Sequence, residues 1–277
     1  MKKVCAIVMA LCLLLAGLCP ALAEDKTYRI GICQLAPHPA LDAATQGFRD
    51  FLTEKLGDRV VFDEQNAAGE AATCMQIMNS FISEDVDLIM ANATASLQAA
   101  QSATGDIPIL GTAVTDYGVA LDLTCVDGKT GVNISGTSDL APLDQQAAMI
   151  KELFPEAKEV GLLYCSSEAN SAYQIEVMTQ ELTKLGFRCT EFAFSDSSDV
   201  TSMTSTACQN SDVIYVPTDN VVATCAEAIR NVAEVDRVPI IAGEEGACAG
   251  CGVATLSISY YELGRITGEM AFEVLCE

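Results

Sequence analysis

Short runs of consecutive apolar residues alternate with longer amphipathic segments along this chain. The runs cover residues 28–33, 60–62, 88–91, 109–110, 160–164, 213–216 and 238–242. Uninterrupted apolar runs are typical of strands that are covered on both faces of a parallel sheet. The segment after the first run places five apolar side chains on one helical face, those of Leu41, Ala44, Phe48, Leu52 and Leu56. The alternation predicts βαβ units and an α/β fold.

The two halves of the chain repeat each other at offsets of 125 to 131 residues. Four segments have counterparts in the same order: RIGICQ at 29–34 and EVGLLY at 159–164, TEKLGDR at 53–59 and TKLGFR at 183–188, DLIMANAT at 87–94 and DVIYVPTD at 212–219, DIPILGT at 106–112 and RVPIIAG at 237–243. A single long repeat predicts paired domains, whereas short repeats would predict a solenoid. We expect two similar Rossmann-like lobes, each a parallel sheet flanked by helices, joined by a hinge with a ligand cleft between them.

The first 23 residues have the layout of a secretory signal peptide. Two lysines precede an apolar run over residues 4–18, and a small-x-small cleavage site ends at Ala23. The run is shorter than the roughly 20 apolar residues of a membrane-spanning helix. We expect export to the periplasm or to the outer face of the cytoplasmic membrane. Cys19 is an alternative lipid-attachment site, which the bulk of Leu18 before it disfavours.

The repeat divides the exported chain into two lobes. We expect lobe 1 over residues 24–136, lobe 2 over residues 137–257, and a helix over residues 258–277 that returns to lobe 1. The two crossovers are expected near residues 135–142 and 255–260, where Gly, Ser and Thr fit the composition of a hinge.

Composition limits the partners and cofactors that the protein can have. Fifteen basic residues stand against 38 acidic ones, and the formal net charge is −23. Nucleic acids and anionic membrane surfaces are bound by basic patches, so neither is an expected partner. The single histidine excludes a metal site built on several histidines. No metal and no cofactor is predicted.

Export also bears on the ten cysteines that follow the signal peptide. In an oxidising compartment some of them can form disulfides. Several lie inside apolar runs, where a free cysteine packs as a small hydrophobic residue. Cys248 and Cys251 form the one local CxxC pair, for which we expect a loop disulfide or two unreactive thiols rather than a redox or zinc site.

The loops at the carboxyl ends of the predicted strands are the candidate ligand site, because open parallel sheets bind ligands there. They cover residues 34–39, 92–96, 112–117, 165–171, 217–220 and 243–246. Their short polar side chains can either contact a ligand or cap the helices that follow. Helix N-termini favour a ligand carboxylate, and Asp219, Glu244 and Glu245 suit a ligand cation.

Seven segments carry a resemblance to a known family. They are HPALDAATQGF at 38–48, DVDLIMANATASLQAA at 85–100, DIPILGTAVTD at 106–116, GLLYCSSEANS at 161–171, YVPTDN at 215–220, PIIAGEEG at 239–246 and YYELGRITGEMA at 260–271. Together they resemble the ABC-transporter substrate-binding proteins with the type I periplasmic-binding fold, and most closely the tryptophan/tyrosine-binding receptors. The segments span nearly all of the chain after the signal peptide, and PTDN with AGEEG is the most specific combination.

The resemblance implies a receptor rather than an enzyme. Such a protein captures a small ligand by hinge closure, acts as a monomer, and hands the ligand to an ABC permease in the membrane. The ligand implied is an amino acid, with aromatic ones favoured by the relatives. Receptors of this kind usually continue beyond the point equivalent to Glu277, so we expect this chain to be a truncated form.

The expected contacts follow the two charged ends of an amino acid. We expect the carboxylate at Thr94, Ala95 and Ser96, with Thr115 nearby, and the ammonium at Asp219 and Glu245. Asn170 can serve either end because its amide both donates and accepts hydrogen bonds. The remaining expected contacts are Gln34, His38, Asp116, Ser166 and Thr218.

Two alternatives stay open at this point. Cofactor-independent amino-acid racemases also have two pseudo-symmetric lobes, and Cys33 and Cys165 end corresponding strands in the two halves. A catalytic thiol must face the cleft with a lowered pKa, whereas both of these cysteines lie in apolar strands. A receptor that reports ligand binding to a signalling partner would have the same fold and cleft.

Overall fold

The structure is a computed structural model that describes residues 26–276. The expected signal peptide and the alternative lipid site at Cys19 lie outside this range. Within it, no helix combines the length and the apolar character needed to cross a membrane.

Lobe 1 is built on a five-stranded, entirely parallel sheet of order β2-β1-β3-β4-β5. Its elements are β1 Tyr28–Gln34, α1 Pro39–Leu56, β2 Val60–Asn66, α2 Ala71–Ser83, β3 Leu88–Asn92, α3 Thr94–Ala103, β4 Ile109–Val114, α4 Tyr117–Leu121 and β5 Ile134–Ser138. The central strands β3 and β4 are buried at every position. The continuous apolar runs of the sequence therefore form the interior of the sheet.

Lobe 2 has a second parallel sheet of order β10-β9-β8-β6-β7. Its elements are α5 Leu143–Leu153, β6 Glu159–Cys165, α6 Ala169–Lys184, β7 Arg188–Phe194, α7 Val200–Asn210, β8 Val213–Val216, α8 Asn220–Thr224, α9 Ala226–Asp236, β9 Ile240–Ala242, α10 Glu245–Cys251 and β10 Ala254–Thr255. Read from the other edge, this order is that of lobe 1. The predicted repeat of two Rossmann-like lobes is confirmed.

The sequence pattern did not predict three strands, β5, β7 and β10. All three are edge strands, and their exposed or half-buried positions interrupt any apolar run. β5 also carries lobe 1 to Ser138, past the boundary at residue 136 that the sequence suggested. Gly136, Thr137 and Ser138, which fall in the crossover expected near residues 135–142, lie inside this strand.

The last helix, α11 Tyr260–Cys276, packs along α1 of lobe 1. Glycines allow the two backbones to touch. A Cβ on Gly47 would lie 2.0 Å from the carbonyl oxygen of Tyr261, and a Cβ on Gly264 would lie 2.0 Å from that of Ala44. Residues 139–142 lead from lobe 1 into lobe 2 and residues 256–259 lead back, so two adjacent segments connect the lobes.

Candidate functional site

A small cavity lies between the lobes, at the carboxyl ends of both sheets. Both lobes, the first crossover and α11 line it, with the residues His38, Ala40, Leu41, Ala113, Asp139, Asn170, Thr218, Asp219, Asn220, Ala223, Glu244 and Tyr260. Its volume is about 10 Å³, which is about the space that one water molecule requires. The cavity is where the predicted cleft closes.

Three carboxylates make the lining acidic. Asp139, Asp219 and Glu244 are each 2% exposed, and no lysine or arginine lines the cavity. A buried carboxylate without a cationic partner is costly because the charged form loses its hydration. Burial accordingly raises the pKa of all three carboxyl groups.

Asp139 follows β5 in the first crossover and is held by two hydroxyl groups. Thr115 Oγ1 donates to its Oδ1 at 3.0 Å, and the Tyr260 hydroxyl donates to its Oδ2 at 2.9 Å. Both bonds favour the ionised carboxylate, yet burial outweighs them and raises the pKa of Asp139. The carboxylate is thus oriented by hydroxyls and left without a neutralising charge.

The other two carboxylates also serve as helix caps. Asp219 accepts from the Val222 N–H at 2.9 Å and from the Cys165 N–H at 2.7 Å. Burial, with the nearby charge of Glu168, raises the pKa of Asp219 to about 8. Glu244 caps α10 by accepting from the Gly246 and Ala247 N–H groups. Each can accept further hydrogen bonds, since a carboxylate has about four lone-pair sites.

Two polar atoms of the cavity residues lack a hydrogen-bond partner among the described residues: Nδ1 of His38 and Oγ1 of Thr218. Asn170, in contrast, is already engaged, because its Nδ2 donates to the Thr218 carbonyl at 3.1 Å and to Glu168 Oε2 at 3.1 Å. The side-chain atoms free to meet a ligand are therefore one ring nitrogen of His38, the hydroxyl of Thr218 and the oxygens of the three carboxylates.

Two helices of lobe 1 begin at this end of the sheet without a capping side chain. α1 starts at Pro39, after His38 in extended conformation, and its first turn contributes Ala40 and Leu41 to the lining. α3 follows Ala93, whose φ is 86°, and the Ala93 N–H is bonded to the Thr112 carbonyl beside the cavity residue Ala113. Uncapped N-terminal N–H groups are suited to a carboxylate.

Four of the expected site residues line the cavity: His38, Asn170, Thr218 and Asp219. Others lie elsewhere. Ser96 is fully buried in lobe 1, with its hydroxyl 3.6 Å from Cys33 Sγ and 3.5 Å from Cys74 Sγ. Thr94 and Ala95 open α3 behind the cavity, and Thr115 reaches the site through Asp139.

The remaining expected residues have other partners. Gln34 bonds Asp42 and lines a separate polar cavity of about 260 Å³ in lobe 1. Asp116 caps α4 and lines a cavity of about 720 Å³ beside β5. Ser166 donates to the Phe194 carbonyl, and Glu245 is exposed.

Four polar or aromatic residues of the cavity are absent from the expected contacts: Asp139, Asn220, Glu244 and Tyr260. The sequence marks Glu244 and Glu245 alike as suited to a ligand cation, and the structure buries Glu244 and exposes Glu245. Asp139 and Tyr260 lie in or next to the two crossovers. The sequence offered two signals for them: an acidic residue directly after β5, and an aromatic residue at the start of the helix that returns to lobe 1.

The cysteines are free thiols in the described part of the chain. Cys33 and Cys165 are fully buried and do not line the cavity. The neighbouring Cys74 thiol and burial raise the pKa of Cys33. Burial raises the pKa of Cys165. Cys248 and Cys251 lie on α10, not in a loop as expected. Among residues 26–276, no group of three or more His, Cys, Asp or Glu side chains is arranged to hold a metal.

Comparison with known proteins identifies the family. The model of the ABC transporter substrate-binding proteins matches residues 29–276. A tyrosine-binding protein of Clostridioides difficile is 41% identical over 255 residues, which are 91% of this chain and 74% of the relative.

Two solved structures of similar coverage differ in their TM-score against this chain. An ABC domain from Streptococcus pneumonia in complex with L-Trp is 31% identical with a TM-score of 0.87, covering 90% of this chain and 85% of that one. The ligand-free, open structure of a Clostridium difficile substrate-binding protein with adhesive properties is 39% identical with a TM-score of 0.65, at the same coverage of 90% and 85%. The lobes are therefore arranged as in the ligand-bound relative, although the open one is closer in sequence. The chain belongs to the family of ABC transporter substrate-binding proteins.

Proposed function

We propose that this protein captures an amino acid between its lobes, outside the cytoplasmic membrane, and delivers it to the permease of an ABC transporter. Family membership gives the general role, which is binding of a small molecule for such a transporter. The observation that favours an amino acid is the cavity, in which three buried carboxylates face no lysine or arginine. A ligand ammonium supplies the missing positive charge.

The ammonium group is placed at Asp139 and Glu244. Both carboxylates are buried with no lysine or arginine in the cavity lining, so a bound ammonium gains hydrogen bonds to charged acceptors and offsets their desolvation. Asp219 lies close by, and its two oxygens accept backbone N–H groups, as those of Glu244 do. Burial also raises its pKa to about 8, which reduces its negative charge at neutral pH, so we assign to Asp219 the capping of α8 rather than the contact with the ammonium.

The ligand carboxylate is placed at the N-terminal turns of α1 and α3. Neither helix has a capping side chain, and the aligned peptide dipoles of an 18-residue helix such as α1 favour a negative charge at that end. This proposal keeps the backbone N–H groups of Thr94, Ala95 and Ser96 as contacts. It leaves out the Ser96 hydroxyl, which faces two thiols.

Binding requires the cleft to open and close. A cavity of about 10 Å³ is far too small for an amino acid, so the lobes must part and then close around the ligand. A ligand that contacts both lobes shifts the equilibrium toward closure through its higher affinity for the closed form. Aromatic amino acids are the first candidates, because tyrosine and tryptophan are named for the relatives.

Calorimetric titration of the chain without its signal peptide against each proteinogenic amino acid tests this function. We expect one amino acid, or a few similar ones, to bind at micromolar affinity or better. Analogues that lack the α-amino group should bind at least ten times more weakly. A folded protein that binds none of them would contradict the amino-acid assignment.

We also propose that the protein is a monomeric receptor rather than a racemase. The two cysteines that a racemase would need are buried away from the cavity. Chiral chromatography of the bound amino acid after long incubation should recover only the enantiomer that was added. Appearance of the other enantiomer would support catalysis.

A further inference from the structure

His38 and Asn220 form a hydrogen bond across the cleft. His38 immediately precedes α1 in lobe 1, and Asn220 begins α8 in lobe 2. The distance between His38 Nε2 and Asn220 Oδ1 is 3.1 Å. Opening of the hinge separates the two residues, so this bond belongs to the closed arrangement.

The orientation of the Asn220 amide determines which atom donates in this bond. Asn220 Nδ2 donates to Glu168 Oε2 at 2.8 Å, and a carboxylate can only accept. Glu168 is in turn fixed by the N–H groups of Asn220 and Val221, at 3.1 and 3.2 Å. The Asn220 oxygen must therefore face His38, and His38 Nε2 must carry the hydrogen.

The role of the second ring nitrogen depends on the charge of the ring, since an imidazolium donates from both nitrogens. In a neutral imidazole with the hydrogen on Nε2, Nδ1 presents a lone pair. His38 is 6% exposed, lines the cavity, and its Nδ1 has no partner among the described residues. The charged groups around it are Glu168 behind Asn220 and the cavity acids Asp139, Asp219 and Glu244. The ionised carboxylates among these groups present acceptors to a ligand.

We propose that His38 couples ligand recognition to lobe closure: its Nε2–H bonds Asn220 of the opposite lobe, and its Nδ1 accepts a hydrogen bond from the ligand ammonium. The proposal rests on the amino-acid function above. The acceptor is held in place only when the cleft is closed, because only then does Asn220 orient the ring. The ligand therefore gains this hydrogen bond in the closed form and not in the open one, which is the differential affinity that closure requires.

Two substitutions of His38 separate the two contacts. The amide nitrogen of Gln lies near the position of Nε2, so His38→Gln can keep the bond to Asn220 and lacks the acceptor at Nδ1. The oxygen of Asn lies near the position of Nδ1, so His38→Asn keeps an acceptor and loses Asn220. Asn220→Leu removes the bond from the other lobe, and Asn231→Leu on the exposed face of α9 is the matched control.

Titration with L-tyrosine, L-tryptophan and their analogues lacking the α-amino group tests the proposal, with circular dichroism confirming the fold of each variant. We expect His38→Gln to weaken amino-acid binding about 10- to 100-fold, the range for one hydrogen bond to a charged group. The loss should disappear for the analogues without an amine. Small-angle scattering should show that Asn220→Leu, unlike Asn231→Leu, stays more open at saturating ligand.

The outcomes distinguish this inference from the proposed function. If the wild-type chain binds neither amino acid nor any other in the panel, both are overturned. If it binds one and His38→Gln binds it within about twofold, the role of His38 is overturned and the receptor function stands. An equal loss for ligands with and without the amine would also overturn it, since Nδ1 would then not contact the ammonium.

Discussion

The hydroxyl of Tyr260 donates a hydrogen bond of 2.9 Å to Oδ2 of Asp139. Tyr260 begins the helix that returns to lobe 1, and Asp139 begins the crossover that leaves it. The bond thus joins the two connections between the lobes at the point where the cavity forms. A side chain proposed to bind the ligand is also part of the hinge.

Asp139→Asn should stabilise the ligand-free protein and weaken ligand binding. The amide keeps an oxygen for one hydroxyl, and the other hydroxyl can rotate to accept from Nδ2, while the desolvated charge is gone. Loss of a charged acceptor for the ammonium should reduce affinity by about 1.5–3 kcal/mol, or about 10- to 100-fold. Thermal unfolding and calorimetry on the same preparation measure the two effects. A lower Tm together with unchanged affinity would contradict both roles.

The stability of the ligand-free protein should fall as the pH rises from about 4 to about 8. Burial raises the pKa of Asp219 from its ordinary 3.8 to about 8. Between these values the native state holds a proton that the unfolded state has released, so the free energy of unfolding decreases with pH. Urea unfolding at a series of pH values measures the slope.

Asp219→Asn should flatten this slope, whatever its effect on stability at any one pH. Asp116→Asn is the matched control, because Asp116 caps α4 through the Val119 N–H as Asp219 caps α8 through the Val222 N–H. The control should keep the slope and much of its cap, since Asn caps a helix about as well as Asp. Parallel slopes for wild type and Asp219→Asn would exclude the buried carboxyl as its source.

Gly264→Ala should destabilise lobe 1 by about 1–3 kcal/mol or more, as expected for overpacking. The added methyl would lie 2.0 Å from the Ala44 carbonyl oxygen and force α11 away from α1. Gly105→Ala is the control, since a Cβ there meets nothing within 4 Å. Chemical unfolding of both variants checks this, and equal stability of the two would mean that the helices can move apart freely.

Alkylation of the native protein should modify Cys125 and Cys276 first. Both are exposed, whereas Cys33 and Cys165 are buried with a raised pKa, which disfavours the reactive thiolate. Peptide mapping after brief iodoacetamide treatment identifies the modified residues. Ligand affinity should be unchanged, and rapid labelling of Cys33 or Cys165 would reopen the racemase alternative.

The sequence predicted the lobes because burial leaves a regular trace. The five apolar residues of α1 that share a face, such as Leu41 and Phe48, are all buried, and the central strands coincide with the apolar runs. Three of the four edge strands, β5, β7 and β10, left no such trace, because polar side chains are tolerated where a strand faces solvent. The order of strands within each sheet follows from the repeat once one lobe is known.

The site was less predictable because ligand-facing side chains follow no period. Asp139 lies outside any helix or strand, and its inward orientation depends on Thr115 and Tyr260, one of which is distant in sequence. The choice between Glu244 and Glu245 depends on which residue caps α10, a difference of one position. Such details are set by tertiary contacts rather than by local pattern.

The packing of α11 on α1 makes lobe 1 discontinuous along the chain and lobe 2 an insertion within it. Lobe 2 can fold as soon as its own residues have been synthesised, whereas lobe 1 is completed only when the 17-residue helix α11 has followed. Until then the face of α1 around Ala44 and Gly47 lacks its neighbour. Proteolytic loss of the C-terminal helix would therefore damage the lobe that was synthesised first and leave the other intact.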